Sequence, residues 1–175
     1  PRSRVISVAG KDRAAIMMGG THTDEIWFLR ATDAAQFITL PGRSNMPASV
    51  VKANAAIDTA LAAPAGPFDL KENADLCAAH RQSLGITTDR TIGTGTFERK
   101  AGDKAAFRAS PESDNATLSL ATDLIAERQL GKGPATDLIA IGLSATDIVG
   151  HAYGTQGNEM CTQIVALDAM IDQFF

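Results

Sequence analysis

The sequence predicts an α/β fold, built as part of a parallel sheet with flanking helices and an inserted α+β cap. Three observations predict it. A β-branched run at residues 4–9 stops at Gly10. A near-continuously apolar run, Leu138 to Leu143, stands between two stretches of helical periodicity. The long middle of the chain carries neither pattern cleanly. A strand without polar alternation is one covered on both faces, which a parallel sheet between helices provides. The 175 residues are expected to form one incomplete domain, with its sheet core drawn from residues 1–20 and 113–175 and the cap from residues 21–112.

Taken in order, Arg4 to Ala9 is the first strand, and Lys11-Asp12-Arg13 follows its carboxyl end. Ala14 to Met18 is short and apolar, a single helical turn or a buried loop. Ile26–Leu29 and Gln36–Leu40 are joined by a short polar stretch and read as a hairpin that packs Trp27. Pro47 opens a helix in which Val50, Val51, Ile57 and Leu61 recur at helical spacing until Pro64 and Gly66-Pro67 end it. Between Phe68 and Ala109 the expectation is irregular: a helix within 71–84, and strands within 92–99 and 105–109. Asp114 is a good N-cap for a helix carrying Leu118, Ala121, Leu124 and Ile125, which Gly131 and Gly133-Pro134 close. After the apolar strand comes a loop at 147–157. A last helix then places Met160, Ile164, Leu167 and Ile171 in one stripe, expected to be buried.

Composition excludes several classes of function. Hydrophobic residues make up 45% and charged residues 21%, enough to bury a sizeable core. A net charge of -4 offers no basic field to a polyanion, so no nucleic-acid partner is expected. No apolar run approaches the roughly 20 residues of a membrane helix, and no export signal opens the chain. Cys77 and Cys161 lack any metal-like spacing and read as two buried free thiols, with a single disulfide left open for an oxidising compartment. The chain starts at Pro1 and ends on Phe174-Phe175 within an amphipathic helix, so it reads as an internal piece of a longer polypeptide.

The chemistry concentrates at two strand ends. Ser144-Ala-Thr-Asp147-Ile-Val-Gly-His151-Ala-Tyr-Gly154 follows the apolar strand and sets a carboxylate and an imidazole four residues apart, where a tight turn brings both onto one metal ion. Zinc suits such a mixed oxygen and nitrogen pair. The bland alternative is a helix-capping aspartate and an ordinary loop histidine. Lys11 and Arg13 follow the first strand. In open α/β sheets sites gather at the carboxyl ends of strands, so all four residues would share one rim. Two cations beside a metal form an anion site, and a phosphoryl group is the natural occupant.

Together the segments Ser7-Val-Ala-Gly-Lys-Asp-Arg-Ala14 and Ser144 to Gly154 resemble the alkaline phosphatase superfamily. The likeness is to bacterial single-chain enzymes with a threonine nucleophile, related to type I phosphodiesterase/nucleotide pyrophosphatases. Phe107-Arg-Ala-Ser-Pro111 and Ala166-Leu-Asp168 are weaker matches. The resemblance implies that Asp147 and His151 bind one zinc of a two-zinc site and that Lys11 and Arg13 contact phosphoryl oxygens, a pair that favours phosphate monoesters over diesters. It implies in-line displacement by a threonine, a phospho-enzyme intermediate, a small phosphate-ester substrate and a periplasmic or secreted location. The nucleophile and the remaining ligands of the family pattern have no match here, nor does His22 or His80 fall in a motif. The expected partners therefore include missing flanking segments of the same protein, and the chain alone is expected to be inert with weak or absent zinc. The alternatives are a non-catalytic cap or binding module with a vestigial half-site, and a weak nucleotide-binding reading of Gly93-Thr-Gly95.

Overall fold

A computed structural model describes residues 2–30, 35–42, 46–68, 70, 73–81 and 83–175. The chain divides into two compact units, one of residues 1–59 and 114–144, the other of residues 60–113 and 145–175.

The first unit is organised by strands β1 (Val5–Ala9), β2 (Glu25–Leu29), β3 (Phe37–Ile38) and β6 (Leu138–Gly142) in the order β3-β2-β1-β6. β1 runs parallel to both β2 and β6, and β3 closes the expected antiparallel hairpin with β2. The loop of that hairpin, residues 31–34, lies outside the described residues. β2 and β3 thus stand in the same sheet as β1, a departure from the expectation that everything from residue 21 to 112 forms a cap. The parallel partner of β1 was hidden because Glu25-Ile-Trp-Phe-Leu29 is as apolar as a hairpin strand and its turn partner follows closely in sequence.

While β6 is only partly buried, β1 and β2 are covered on both faces. On one, Ala9 and Ile26 meet Ala15 of helix α1 (Asp12–Gly19), with Ala14, Phe28 and Leu40 around them. On the other, Ile6, Val8, Trp27 and Leu29 are all buried. Residues 14–18, expected as a single helical turn or a buried loop, therefore belong to a helix of 8 residues. The missing side chain of Gly142 makes room beside it: a Cβ there would sit 2.8 Å from Met18 Cε and 2.9 Å from the Ala9 Cβ.

Polar side chains close the sheet's open backbone groups. Asn54, on helix α2 (Ala48–Leu61), accepts from the Phe37 amide at 2.7 Å and donates to its carbonyl at 3.0 Å, pairing the free edge of β3. At the entry to β6, Asp137 accepts from Arg4 N at 2.8 Å and Gly131 N at 2.9 Å. Helix α5 (Pro111–Glu127) starts three residues before the Asp114 expected to cap it. Ser110 is the capping residue, accepting from Glu112 N at 3.2 Å, and Pro111 takes the first helical position, where a missing N–H costs nothing. Asp114 is instead fully buried inside the helix.

The second unit contains α3 (Ala74–Ala78), the hairpin of β4 (Leu84–Thr87) and β5 (Arg90–Ile92), α4 (Lys104–Arg108), α6 (Ala145–Tyr153) and α7 (Asn158–Phe174). Of residues 105–109, expected as a strand, all but Ala109 fall on α4, because Asp103 accepts from Ala106 N and caps it. The helix expected within 71–84 shortens to α3, with Lys71, Glu72 and Gln82 outside the described residues. Residues 92–99 contribute only the end of β5 and a bridge between Ala65 and Arg99. Arg99 is 4% exposed, and its guanidinium is fully used. It grips both oxygens of Glu112 and donates to the carbonyls of Ala60, Ala63 and Lys100. The hydrogen bond to Glu112 raises its pKa further above the ordinary arginine value.

α7 overturns one expectation outright. Ile164 and Ile171 of its apolar stripe are exposed, whereas Asn158, Glu159, Thr162 and Gln163 are buried. Hydrogen-bond partners in neighbouring loops, invisible to periodicity, decide which face turns inward. The free-thiol reading is also overturned: Cys77 and Cys161 form a disulfide with Cα atoms 5.4 Å apart, joining α3 to α7 across 84 residues. So wide a separation leaves no local signal in sequence.

Two outcomes follow from these ties. In the chain-entropy picture a loop of 84 residues is worth about 4–5 kcal/mol when cross-linked. The Cys77→Ser/Cys161→Ser protein should lose about 2–5 kcal/mol in denaturant unfolding. The backbone hydrogen bonds from Gly131 and Arg4 lower the Asp137 pKa below its ordinary value. A depressed folded pKa gives stability that is present above the unfolded value, about 3.9, and is lost as pH falls through the folded one. Asp137→Asn should therefore be less stable than the parent at pH 7, and the gap should narrow in unfolding curves taken below about pH 4.

Candidate functional site

The close approach of two strand ends frames the first half of the site. β1 and β6 run in register to Ala9↔Gly142. Gly10 N then donates to Gly142 O at 3.0 Å. A side chain at Gly10 is excluded, since its Cβ would fall 2.9 Å from Ser144 Cβ. Immediately beyond, Lys11 occupies the N-cap position of α1 in extended conformation, and its side chain plays no capping role. Asp12 accepts from Arg13 N at 2.7 Å. Lys11 and Arg13 thus stand at the amino-terminal end of a helix, where the aligned peptide dipoles leave partial positive charge and exposed N–H groups. Cations are locally disfavoured there, and anions are favoured.

The other half is carried by α6. Asp147 lies in its first turn and His151 in its last. The structure replaces the expected loop with a helix, and the four-residue spacing then brings the two side chains onto one face without any tight turn. His151 Nε2 is 3.6 Å from Asp147 Oδ1, with side-chain exposures of 82% and 57%. An exposed pair of this kind contributes a few tenths of a kcal/mol at most to a helix. Its separation suits a shared metal equally well. Zinc bonds of about 2.0–2.2 Å in tetrahedral geometry set neighbouring ligand atoms about 3.3–3.6 Å apart. The donor chemistry and spacing fit zinc, while two ligands leave half of a four-coordinate shell to be supplied from elsewhere. Among the described residues, no group of three or more His, Cys, Asp or Glu is placed to hold a metal ion. His22 and His80 are exposed and stand apart from any such group.

The structure thus brings Asp147 to His151, and sets Lys11 and Arg13 one residue apart at a helix start. The first pair belongs to the second unit and the cations to the first.

Comparison with known proteins bears on both halves. The chain is 46% identical over 168 residues to alkaline phosphatase PhoD of Zymomonas mobilis, covering 96% of this chain and 28% of that protein. It is 45% identical over 175 residues to alkaline phosphatase PhoK of Sphingomonas sp, covering 100% of this chain and 30% of that protein. The chain belongs to the alkaline phosphatase superfamily. A crystal structure of wild-type alkaline phosphatase PafA matches with a TM-score of 0.77 at 24% identity, over 99% of this chain and 35% of that one. That likeness establishes the alkaline phosphatase fold, a mixed α/β structure with a parallel sheet and flanking helices. The chain spans about 30% of the length of the curated relatives it matches. No family model matches it.

Some polar groups went unnoticed in the sequence. Glu159 lies fully buried in the first turn of α7. Its Oε1 accepts from Thr94 N, Thr94 Oγ1 and Gly95 N at 2.5, 3.0 and 3.2 Å. The Gly93-Thr-Gly95 segment is therefore a turn whose amides are directed at an internal carboxylate, with positive φ at both glycines. Those are the donors that a phosphate would need. An acidic residue early in a helix is so common a sequence feature that nothing marked Glu159 as special.

Proposed function

We propose that this chain is part of a zinc-dependent phosphate monoester hydrolase of the alkaline phosphatase type, active as the longer polypeptide and inert alone. Asp147 and His151 would hold one of two zinc ions, and Lys11 and Arg13 would contact non-bridging oxygens of the transferring phosphoryl group. The observation that carries this reading is the pair of cations at the amino-terminal end of α1. Lys11 and Arg13 repel the helix's positive end, and a bound dianion would turn that conflict into three converging attractions. Each pair follows a strand of the parallel sheet in sequence: Lys11 follows Ala9 by two residues, Asp147 follows Gly142 by five, and Ala9 and Gly142 are register partners.

When bound, zinc would lower the pKa of the nucleophile and stabilise charge on the leaving oxygen. The residues of this chain hold and orient. Arg13 has a planar fork suited to two phosphoryl oxygens, while Lys11 adds a compact charge. Both contacts strengthen as charge spreads onto those oxygens in the transition state. A monoester dianion gains more from two cations than a diester monoanion does. This supports monoester preference, with phosphodiesterase activity as a side reaction.

A periplasmic or secreted location is part of the same proposal. The Cys77–Cys161 disulfide supports it, since such bonds persist in oxidising compartments. No helix among the described residues is long and apolar enough to cross a membrane.

The test uses the polypeptide extended at both ends and an aryl phosphate. Lys11→Ala and Arg13→Ala should each lower kcat/KM for the monoester by about 10- to 100-fold, with a smaller loss on an aryl phosphodiester. Equal rates in parent and variants would refute the assigned roles. An extended protein that binds no zinc and hydrolyses neither ester would favour a non-catalytic module with a vestigial half-site.

A further inference from the structure

The inward face of α7 is polar, and nothing in the proposed chemistry uses it. Glu159 and Gln163 are fully buried, and Thr162 and Asn158 nearly so. A carboxylate removed from water is costly unless hydrogen-bonded, and replacing such a group by hydrocarbon of the same size is often neutral or stabilising. Glu159 is only half satisfied. Its Oε1 takes the three donors of the Thr94–Gly95 turn, while its buried Oε2 has no hydrogen-bond partner among the described residues. Stability alone gives no reason to keep an acid there, whereas fixing one arrangement of the helix does.

What that arrangement serves can be traced through neighbouring contacts. The start of α7 is tied down twice more, by Asn158 Nδ2 donating to Cys77 O at 2.8 Å and by the Cys161 disulfide. α6 packs along α7. Gln163 Nε2 approaches Thr146 Oγ1 at 3.5 Å, and Thr146 immediately precedes Asp147. Gly150, immediately before His151, backs onto Met160, whose Cε would lie 3.4 Å from a Cβ placed there. Each member of the Asp147–His151 pair is thus next in sequence to a residue that rests on α7 beside Glu159.

We propose that Glu159 is a positioning residue for the Asp147–His151 pair. By locking the Gly93–Gly95 turn onto the first turn of α7, it fixes the surface on which α6 holds both side chains, with Gln163 as the polar link. The proposal rests on the reading that this pair binds zinc. Affinity for a metal depends on groups behind the ligands being held in place.

The test compares zinc dissociation constants, by competition with a chromogenic chelator, for the extended protein and its Glu159→Ala, Glu159→Gln, Gln163→Met and His151→Ala variants. Thermal midpoints are measured alongside. Glu159→Ala should weaken zinc binding by about 10- to 100-fold at temperatures well below its midpoint. Glu159→Gln, whose amide oxygen still accepts from the turn, should recover most of that loss. Gln163→Met keeps the volume, removes the polar link and should weaken zinc by about tenfold; it stands as the deciding variant should Glu159→Ala not fold. If Glu159→Ala and Gln163→Met lower the midpoint yet leave zinc affinity within about twofold of the parent, while His151→Ala weakens it, the positioning role fails and the zinc reading stands. If His151→Ala changes nothing, the zinc reading falls and takes the positioning role with it.

Discussion

The parallel pairing of β1 with β6 along five matched positions is the interaction on which the rest of the sheet depends. Parallel neighbours end at the same edge, so whatever follows each strand is delivered from adjacent points. Here one exit is Gly10 and the other passes through Gly142 to Ser144. Because Gly10 leaves no room for a side chain against Ser144, the two exits are close enough to share a backbone hydrogen bond. In sequence, Lys11 and Arg13 follow one exit, and Asp147 and His151 follow the other. A one-residue slip in this register would turn every side chain of β6 to the opposite face and separate the exits.

The two units are held by different means. In the first, apolar faces of the sheet and small side chains on α1 do most of the work, as the hydrophobic effect requires of a parallel sheet. In the second, single polar groups and one covalent bond carry much of the organisation. Arg99 saturates its donors on Glu112 and three carbonyls, Glu159 gathers the Thr94–Gly95 turn, and the disulfide fastens α3 to α7. Such groups define geometry more sharply than hydrocarbon does, because each hydrogen bond has a direction as well as a strength.

That difference governs how much was legible in the sequence. β1, β6, the β2–β3 hairpin and helices α2 and α5 could all be read, since apolar periodicity and proline or glycine punctuation report on surfaces buried by hydrocarbon. The same rule misjudged α7: Met160, Ile164, Leu167 and Ile171 define a stripe, but buried hydrogen bonds turn the Glu159–Gln163 face inward instead. Asp114 fits a cap by residue type. Ser110 wins because proline at 111 fixes the first turn earlier. The Asp147–His151 pair was recognised from its spacing, although a helix brings the two together where a tight turn was expected. The Cys77–Cys161 bond and the Glu159 clamp join residues 84 and about 65 positions apart, respectively, and contacts at that range have no periodicity to betray them.

The proposal for this chain gives Asp147 and His151 to zinc and Lys11 and Arg13 to phosphate. It is tested most directly by diffraction from the extended protein soaked in zinc and phosphate, with anomalous data collected at the zinc edge. The account predicts a zinc peak about 2.0–2.2 Å from a carboxylate oxygen of Asp147 and an imidazole nitrogen of His151. It also predicts phosphate oxygens within hydrogen-bonding reach of Lys11 and Arg13. Zinc bound away from Asp147 and His151, or phosphate held by other residues with Lys11 and Arg13 turned to solvent, would contradict it.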